Sequence, residues 1–197
     1  MNNRPSLFFL TAALCLGFGP QTGDTRNLVV EPNHSTIQFS VPISGGLTRI
    51  TGKFTEFTID IGLVDNDITK SQIRSSIKVN SINTGISARD EDLKTKTFFD
   101  AATFPEVTFV SERISKVKDG FIAQGLFTMH GITKSIELPF SITGRKDDVI
   151  GFASRYSIKR TDFDLGTSFK HTTEDNFIGN EIGIEIDFWT KKPKVKK

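Results

Sequence analysis

Residues 106–143 read EVTFVSERISKVKDGFIAQGLFTMHGITKSIELPFSIT, and the fold turns on them. Three runs alternate apolar and polar residues: EVTFVSERISKV, FIAQGLFTM and ITKSIELPFSIT. A period of two marks a strand with one buried face. Asp119-Gly120, a strong hairpin signal, separates the first two runs. His130-Gly131 separates the second from the third, and both residues accept a positive φ more readily than most. Three consecutive antiparallel strands are expected.

The pattern extends in both directions. STIQFSV alternates Ile37, Phe39 and Val41. RITGKFTEFTIDIGL begins in one phase (Ile50, Phe54) and ends in the other (Phe57, Ile59, Ile61, Leu63), which predicts a β-bulge near Thr55. SQIRSSIKVNS sets Ile73, Ile77 and Val79 on one face. After the third run, GRKDD (144–148) turns into VIGFASRYSIKR, and EIGIEIDFW is the last strand. About eight strands joined mostly by tight turns predict an all-β antiparallel meander, closed into a barrel because closure removes sticky edges. Several strands run ten to fourteen residues, against about five or six in an average strand. A long, narrow eight-stranded barrel suits a long, thin ligand or a solid core. Fifteen of the eighteen phenylalanines lie beyond the first 19 residues, with Tyr156 and Trp189 the only other aromatics among Phe, Tyr and Trp. Phenylalanine supplies apolar area without a polar handle, so the interior is either an apolar tunnel or a Phe-rich core.

One stretch breaks the alternation: NTGISARDEDLKTKTFFDAATFPEVTF, residues 83–109. Ser87 suits an N-cap for a helix starting at Ala88, with Asp90 in the first turn and Lys94 and Lys96 near the end, as the macrodipole favours. The expected helical insert spans about 87–103, anchored by Leu93, and Pro105 sets Phe104 in an extended conformation. With charges outward, Phe98, Phe99 and Phe104 would close one barrel end as a lid.

Residues 1–19 carry Arg4 and an apolar run, SLFFLTAALCLGFG, that fits a signal peptide, with cleavage between 15 and 23. A lipid-anchored Cys15 is the lesser alternative, because Leu14 stands where a small residue is expected. The barrel is assigned to 24–190 and a lysine-rich tail to 191–197. The chain is thus expected to be exported, with no other cysteine for a disulfide. Removing the tail's five lysines and the +1 of the first 26 residues from the net +2 leaves −4 on residues 27–190. That balance excludes a nucleic-acid footprint, while the tail suits weak contact with a membrane surface.

Chemistry-bearing clusters are scarce. His34, His130 and His171 lack metal-ligand spacing, and no nucleophile triad or glycine-rich phosphate loop is present. No metal, catalytic residue or cofactor is expected. His130 serves a hairpin turn; His34 is a turn residue or a polar group at the tunnel mouth. Arg89 bonds strand-end carbonyls or faces a phosphate. Arg160 and Asp162 would share a strand face as a surface pair.

NHSTIQFSV, the stretch 83–109, GLFTMHGITKSIELP, IKRTDFDLG and IGNEIGIEID together resemble, in order and spacing, the YceI family of lipocalin-like, polyisoprenoid-binding periplasmic proteins. The resemblance covers about residues 27–190. It implies an eight-stranded lipocalin-like barrel around a tunnel for an isoprenoid or other lipid, without enzymatic activity. The chain departs from the family in two places: VPISGG replaces a segment that often holds a second histidine before glycine, and Asp162-Phe163-Asp164 stands where Asp-Phe-Gly is common. The expected ligand contacts are Phe39, Phe57, Ile77, Phe98, Phe99, Phe104, Phe109 and Phe127, with Arg89 and His34 at the polar end. A periplasmic carrier is the leading reading, and a homodimer is compatible with it. An enzyme working on a lipid in the same tunnel, and a solid-core stress or interaction protein, are the alternatives.

Overall fold

The computed structural model describes residues 24–191; the expected signal peptide, Cys15 and the lysine-rich tail beyond Lys191 lie outside the described residues. Eleven segments make eight strands. β1 (Thr25–Val30) and β2 (Thr36–Ile43) are one strand interrupted by a 3-10 turn at Pro32–His34. β3 (Thr48–Phe54) and β4 (Phe57–Val64) are one strand broken at Thr55 and Glu56. β5 (Asp67–Lys78) and β6 (Ile82–Asn83) are one strand broken by the turn Val79–Ser81. A helix, α1 (Ser87–Lys94), precedes β7 (Glu106–Val117), β8 (Gly120–Met129), β9 (Ile132–Lys146), β10 (Val149–Lys159) and β11 (Glu181–Lys191). Each strand pairs antiparallel with the next. β11 returns to both halves of the first, Thr190 opposite Val30 and Ile186 opposite Ile37, which closes the barrel.

The phase switch near Thr55 is real: Phe54 points inward before it, and Ile59, Ile61 and Leu63 after it. It is a two-residue break matched by the break in the neighbouring strand. Thr55 donates its N–H to Ser81 O (3.1 Å), and Lys78 donates to Glu56 O (2.9 Å). β1 went unread in the sequence, because TRNLVV is short and Pro32 follows it, yet its Leu28 is fully buried.

The meander gives the barrel two different ends. The floor end carries the turns at Asp65–Asn66, Lys118–Asp119 and Asp147–Asp148, and both ends of the described chain. Arg26 ties it together by donating to Asp148 Oδ1 (2.5 Å) and Asn66 Oδ1 (3.1 Å). Leu28, Ile61, Leu63 and Ile150, none above 1% exposed, pack this end solid. The mouth end carries the turn at Ser44–Leu47, the insert 84–105, the His130-Gly131 turn and the loop 160–180. His130 (φ 51°) and Gly131 (φ 73°) are both left-handed, the backbone a two-residue hairpin demands.

One seam in the wall is incomplete. β9 and β10 pair from Lys146↔Val149 to Ser141↔Ala153, and there the ladder stops. Pro139 is the reason: proline has no N–H to give. Its carbonyl accepts the Ser154 hydroxyl (2.6 Å), a side-chain clasp where a backbone bond is missing. Toward the mouth, β9 pairs only with β8 and β10 only with β11. The turn Arg160–Phe163 packs on β8 and the hairpin turn after it: Phe163 is buried edge-on against Phe127 at 5.3 Å, and its carbonyl bonds His130 Nδ1 (3.1 Å).

Two expectations are corrected. Ile86, not Ser87, occupies the N-cap, without a side-chain cap bond; Asp90 reaches back instead, accepting from Thr84 N–H (2.8 Å) and Thr84 Oγ1–H (2.6 Å). The helix ends at Lys94, and residues 95–103 form successive turns. Arg160 and Asp162 lie in a 3-10 turn rather than on one strand face, and Asp162 pairs with Lys134 (3.6 Å).

Candidate functional site: an apolar cavity open at one barrel end

Above the packed floor the interior is hollow, with a cavity of about 540 Å³. Its base includes rings: Phe152 stacks on Phe188 at 4.9 Å, and Phe140 lies 6.1 Å from Phe152. The wall is almost wholly aliphatic and phenylalanine, as inward positions of eight long strands with this sequence must be. Of the ten residues read from the sequence, Phe39, Ile77, Phe98, Phe99, Phe109, Phe127 and Arg89 line it.

The other three are elsewhere. Phe57 packs half-buried against the core opposite Ile77 and is not among the lining residues. Phe104 lies edge-on to His130 (5.2 Å), and its ring fills the space a Cβ on Gly131 would need, 2.5 Å away. It latches the insert to the neighbouring hairpin. His34 is a turn residue: its Nδ1 meets Glu31 Oε2 at 2.7 Å and its ring lies 5.4 Å from Trp189, away from the cavity.

The insert closes part of the mouth. Phe99 is buried edge-on against Phe54 (6.0 Å), Leu93 packs on the core, and Phe98 lies against Phe169 (5.5 Å). Phe98 also crosses Gly166, whose absent side chain leaves room for the ring; a Cβ there would lie 2.7 Å away. Arg89 donates from Nε to Thr84 Oγ1 (2.8 Å) and from Nη2 to Thr84 O (3.0 Å), so it anchors the start of the insert while lining the cavity.

Sequence reading missed several lining residues. Phe54, Phe140, Phe152 and Phe188 sat in inward phase and were legible in principle. Phe169 and Phe177 lie in the irregular loop 160–180, where periodicity gives no signal. Tyr156 is the one phenol in the wall; burial first, then the nearby carboxylates of Glu137 and Asp162, push its pKa up and keep it neutral. Arg160 also lines the cavity, and its fork is spent on the carbonyls of Leu165 (2.9 Å), Gly179 (3.1 Å) and Ile178 (3.2 Å), holding the long loop together. Burial lowers its pKa, and the three carbonyls satisfy the charge. No group of three or more His, Cys, Asp or Glu side chains converges on a metal position among the described residues.

The profile of the YceI-like domain matches residues 28–189. The chain belongs to the YceI family. A UPF0312 protein of Yersinia pestis is 27% identical over 192 residues, covering 94% of this chain and all of that one. Among solved structures, Burkholderia cenocepacia BcnA superposes with a TM-score of 0.72 at 20% identity, over 81% of this chain and 98% of its own. A polyisoprenoid binding domain from Saccharophagus degradans, implicated in plant cell wall breakdown, gives 0.66 at 15% identity, over 86% and 99%. Both share the fold. This YceI-family member's departures fall at the mouth end. VPISGG becomes the end of β2 and its turn, fixed by Ser44 donating to Glu174 Oε2 (2.8 Å) and to Phe177 O (2.9 Å). Asp164, where the family resemblance leads one to expect glycine, adopts the left-handed conformation (φ 52°), which aspartate tolerates.

Proposed function

We propose that this chain is a non-enzymatic binding protein that holds one long, largely apolar amphiphile in its barrel and carries it in the periplasm. The apolar, dead-ended cavity supports this reading more than any other observation. A volume of 540 Å³ lies within the range of small-molecule sites and, at ~30 Å³ per water-sized heavy atom, holds ~18 such atoms. A longer polyprenyl tail would fill the cavity and protrude. Burying ~500 Å² of ligand at ~25 cal/mol/Å² gives about 12 kcal/mol gross, of which ordering the tail and losing free motion cancel a large part. Micromolar affinity or better needs no strong polar contact. Arg89, with Nη1 not engaged by Thr84, is the cation best placed for a polar head. The ligand is an isoprenoid or a similar lipid, in keeping with the polyisoprenoid-binding structural neighbour. The apolar leader supports export, Leu14 before Cys15 favours processing over lipid anchoring, and nothing in the site calls for a cofactor or metal.

Native mass spectrometry of protein purified from its own periplasm should show a co-purifying lipid. With one head group, affinity should rise by up to ~0.8 kcal/mol per methylene and level off near ~18 tail atoms. Affinity flat with tail length, or set by the head alone, would overturn the carrier reading.

A further inference from the structure

The apolar surface does not stop at the cavity. The two most exposed of the large hydrophobic side chains, Leu47 (89%) and Ile86 (53%), and a third, Phe169 (37%), are all at the mouth end. They come from three separate segments: the Ser44–Leu47 turn, the residue capping α1, and the loop between β10 and β11. Ile86 and Phe169 also line the cavity, so apolar surface runs unbroken from its inside to the outer rim. Leu47 follows Gly45 and Gly46, neither of which has a neighbour within 4 Å of where its Cβ would stand; the tip projects clear of the barrel. A cation follows each one closely in the chain: Arg49 and Lys170 are exposed, and Arg89 is at the cavity edge.

We propose that the mouth rim is a docking surface for a phospholipid bilayer, through which the cavity exchanges its occupant directly with the membrane. The proposal rests on the amphiphile-carrier reading above. Single side chains from three separate segments make a poor continuous face for a protein partner, whose interface needs roughly 800 Å² per side. They suit a soft apolar medium into which single side chains dip, while cations one to three residues away stay at phosphate level. The carboxylates in the insert and the long loop, among them Asp90, Asp92, Asp162 and Glu174, weigh against a strongly anionic surface and toward a zwitterionic one. The need for contact follows from the cargo. Each methylene leaving a bilayer for water lowers the desorption equilibrium about four-fold, so a tail of ~18 carbons does not desorb on a useful timescale without a path that stays dry. Lys191, the last described residue, stands at the floor end, away from the mouth.

The test places a reporter at the tip. In a Leu47→Trp, Trp189→Phe variant, phosphatidylcholine vesicles should shift the emission to the blue, and brominated phosphatidylcholine should quench it at least two-fold. The native Trp189, on the outer wall toward the floor, should show neither effect. A tip tryptophan that ignores the vesicles, or one quenched no more than Trp189, would overturn the docking proposal. A second arm separates this failure from failure of the carrier reading. Leu47→Asp should bind an apolar naphthylamine dye from water as the native protein does, yet take up a pyrene-labelled fatty acid from vesicles at least ten-fold more slowly. Equal uptake rates overturn docking. Absence of dye binding in both proteins overturns the carrier reading, and the bromolipid result still decides the docking surface by itself.

Discussion

Phe98 and Phe99 are neighbours with different jobs. Phe99 is 8% exposed and pinned on Phe54, so it is part of the core; Phe99→Ala should cost about 3–5 kcal/mol, read by chemical denaturation. Phe98 is only half-buried against Phe169, so Phe98→Ala should lower stability far less while weakening retention of a bound lipid, read by native mass spectrometry. Loss of stability without loss of retention would remove Phe98 from the lid. Glu31 makes a second residue-scale prediction. Its carboxylate is held down to about 2 from the ordinary 4.5, first by the His34 bond, then by Trp189, the Asn33 backbone and Lys191, against an opposing contribution from burial. The folded pKa lies below the unfolded one, so the stabilisation is complete above about pH 4.5 and is lost as pH falls toward 2. Native protein should therefore lose its melting-temperature advantage over Glu31→Gln across that window; a constant difference would show that the charge of Glu31 does not matter.

At the scale of elements, the β9–β10 seam is the weak line. Backbone groups at alternate residues face alternate neighbours, so the Pro139 carbonyl, directed at β10, places those of Ser135 and Glu137 on the same side. Amides of Glu137, Arg155 and Ser157 should exchange with deuterium well before those of Ile136 and Leu138, which face β8. Equal protection on both sides would mean the wall is continuous. Ser154→Ala should cost about 1–3 kcal/mol, because it strips the Pro139 carbonyl of its donor. Much of this level was legible in sequence. Alternation marked the strands, Asp119-Gly120 and His130-Gly131 marked two hairpins, and the shift from Phe54 to Phe57 marked the break. Phase alone places a ring inside a barrel but not at a given height, which is why Phe57 was read as lining. Phe104 was read with Phe98 and Phe99, although three-dimensional packing sends it to a hairpin. The charged alternation KRTDFD imitated a strand; the three carbonyls on Arg160 that bend it come from residues five to nineteen positions on, beyond any local signal.

At the scale of the molecule, one apolar interior has to hold the barrel without an internal disulfide, since Cys15 is the only cysteine in the sequence. Core burial along the floor and the closed ladder supply that stability. Thermal unfolding should be indifferent to reductant and to chelator alike; a chelator-induced fall of several degrees would show that His34, His130 and His171 share a metal after all. The division into a solid floor and a hollow upper barrel also separates stability from binding. Substitutions at Leu28 or Ile150 should lower the melting temperature and leave ligand affinity almost untouched, while Phe98→Ala at the mouth should do the reverse.

Closure of β1 onto β11 makes the sheet a ring, so the point at which the polypeptide starts is arbitrary with respect to its pairing. Thr25 and Lys191 emerge at the same end, with Val29 opposite Lys191, and four residues of β1 separate them at ~3.3 Å each. A glycine-serine bridge of about six residues spans that gap. The ring can then be reopened at Lys118–Asp119, a floor turn far from the mouth. Such a circular permutant should fold to the same barrel and keep the same cavity.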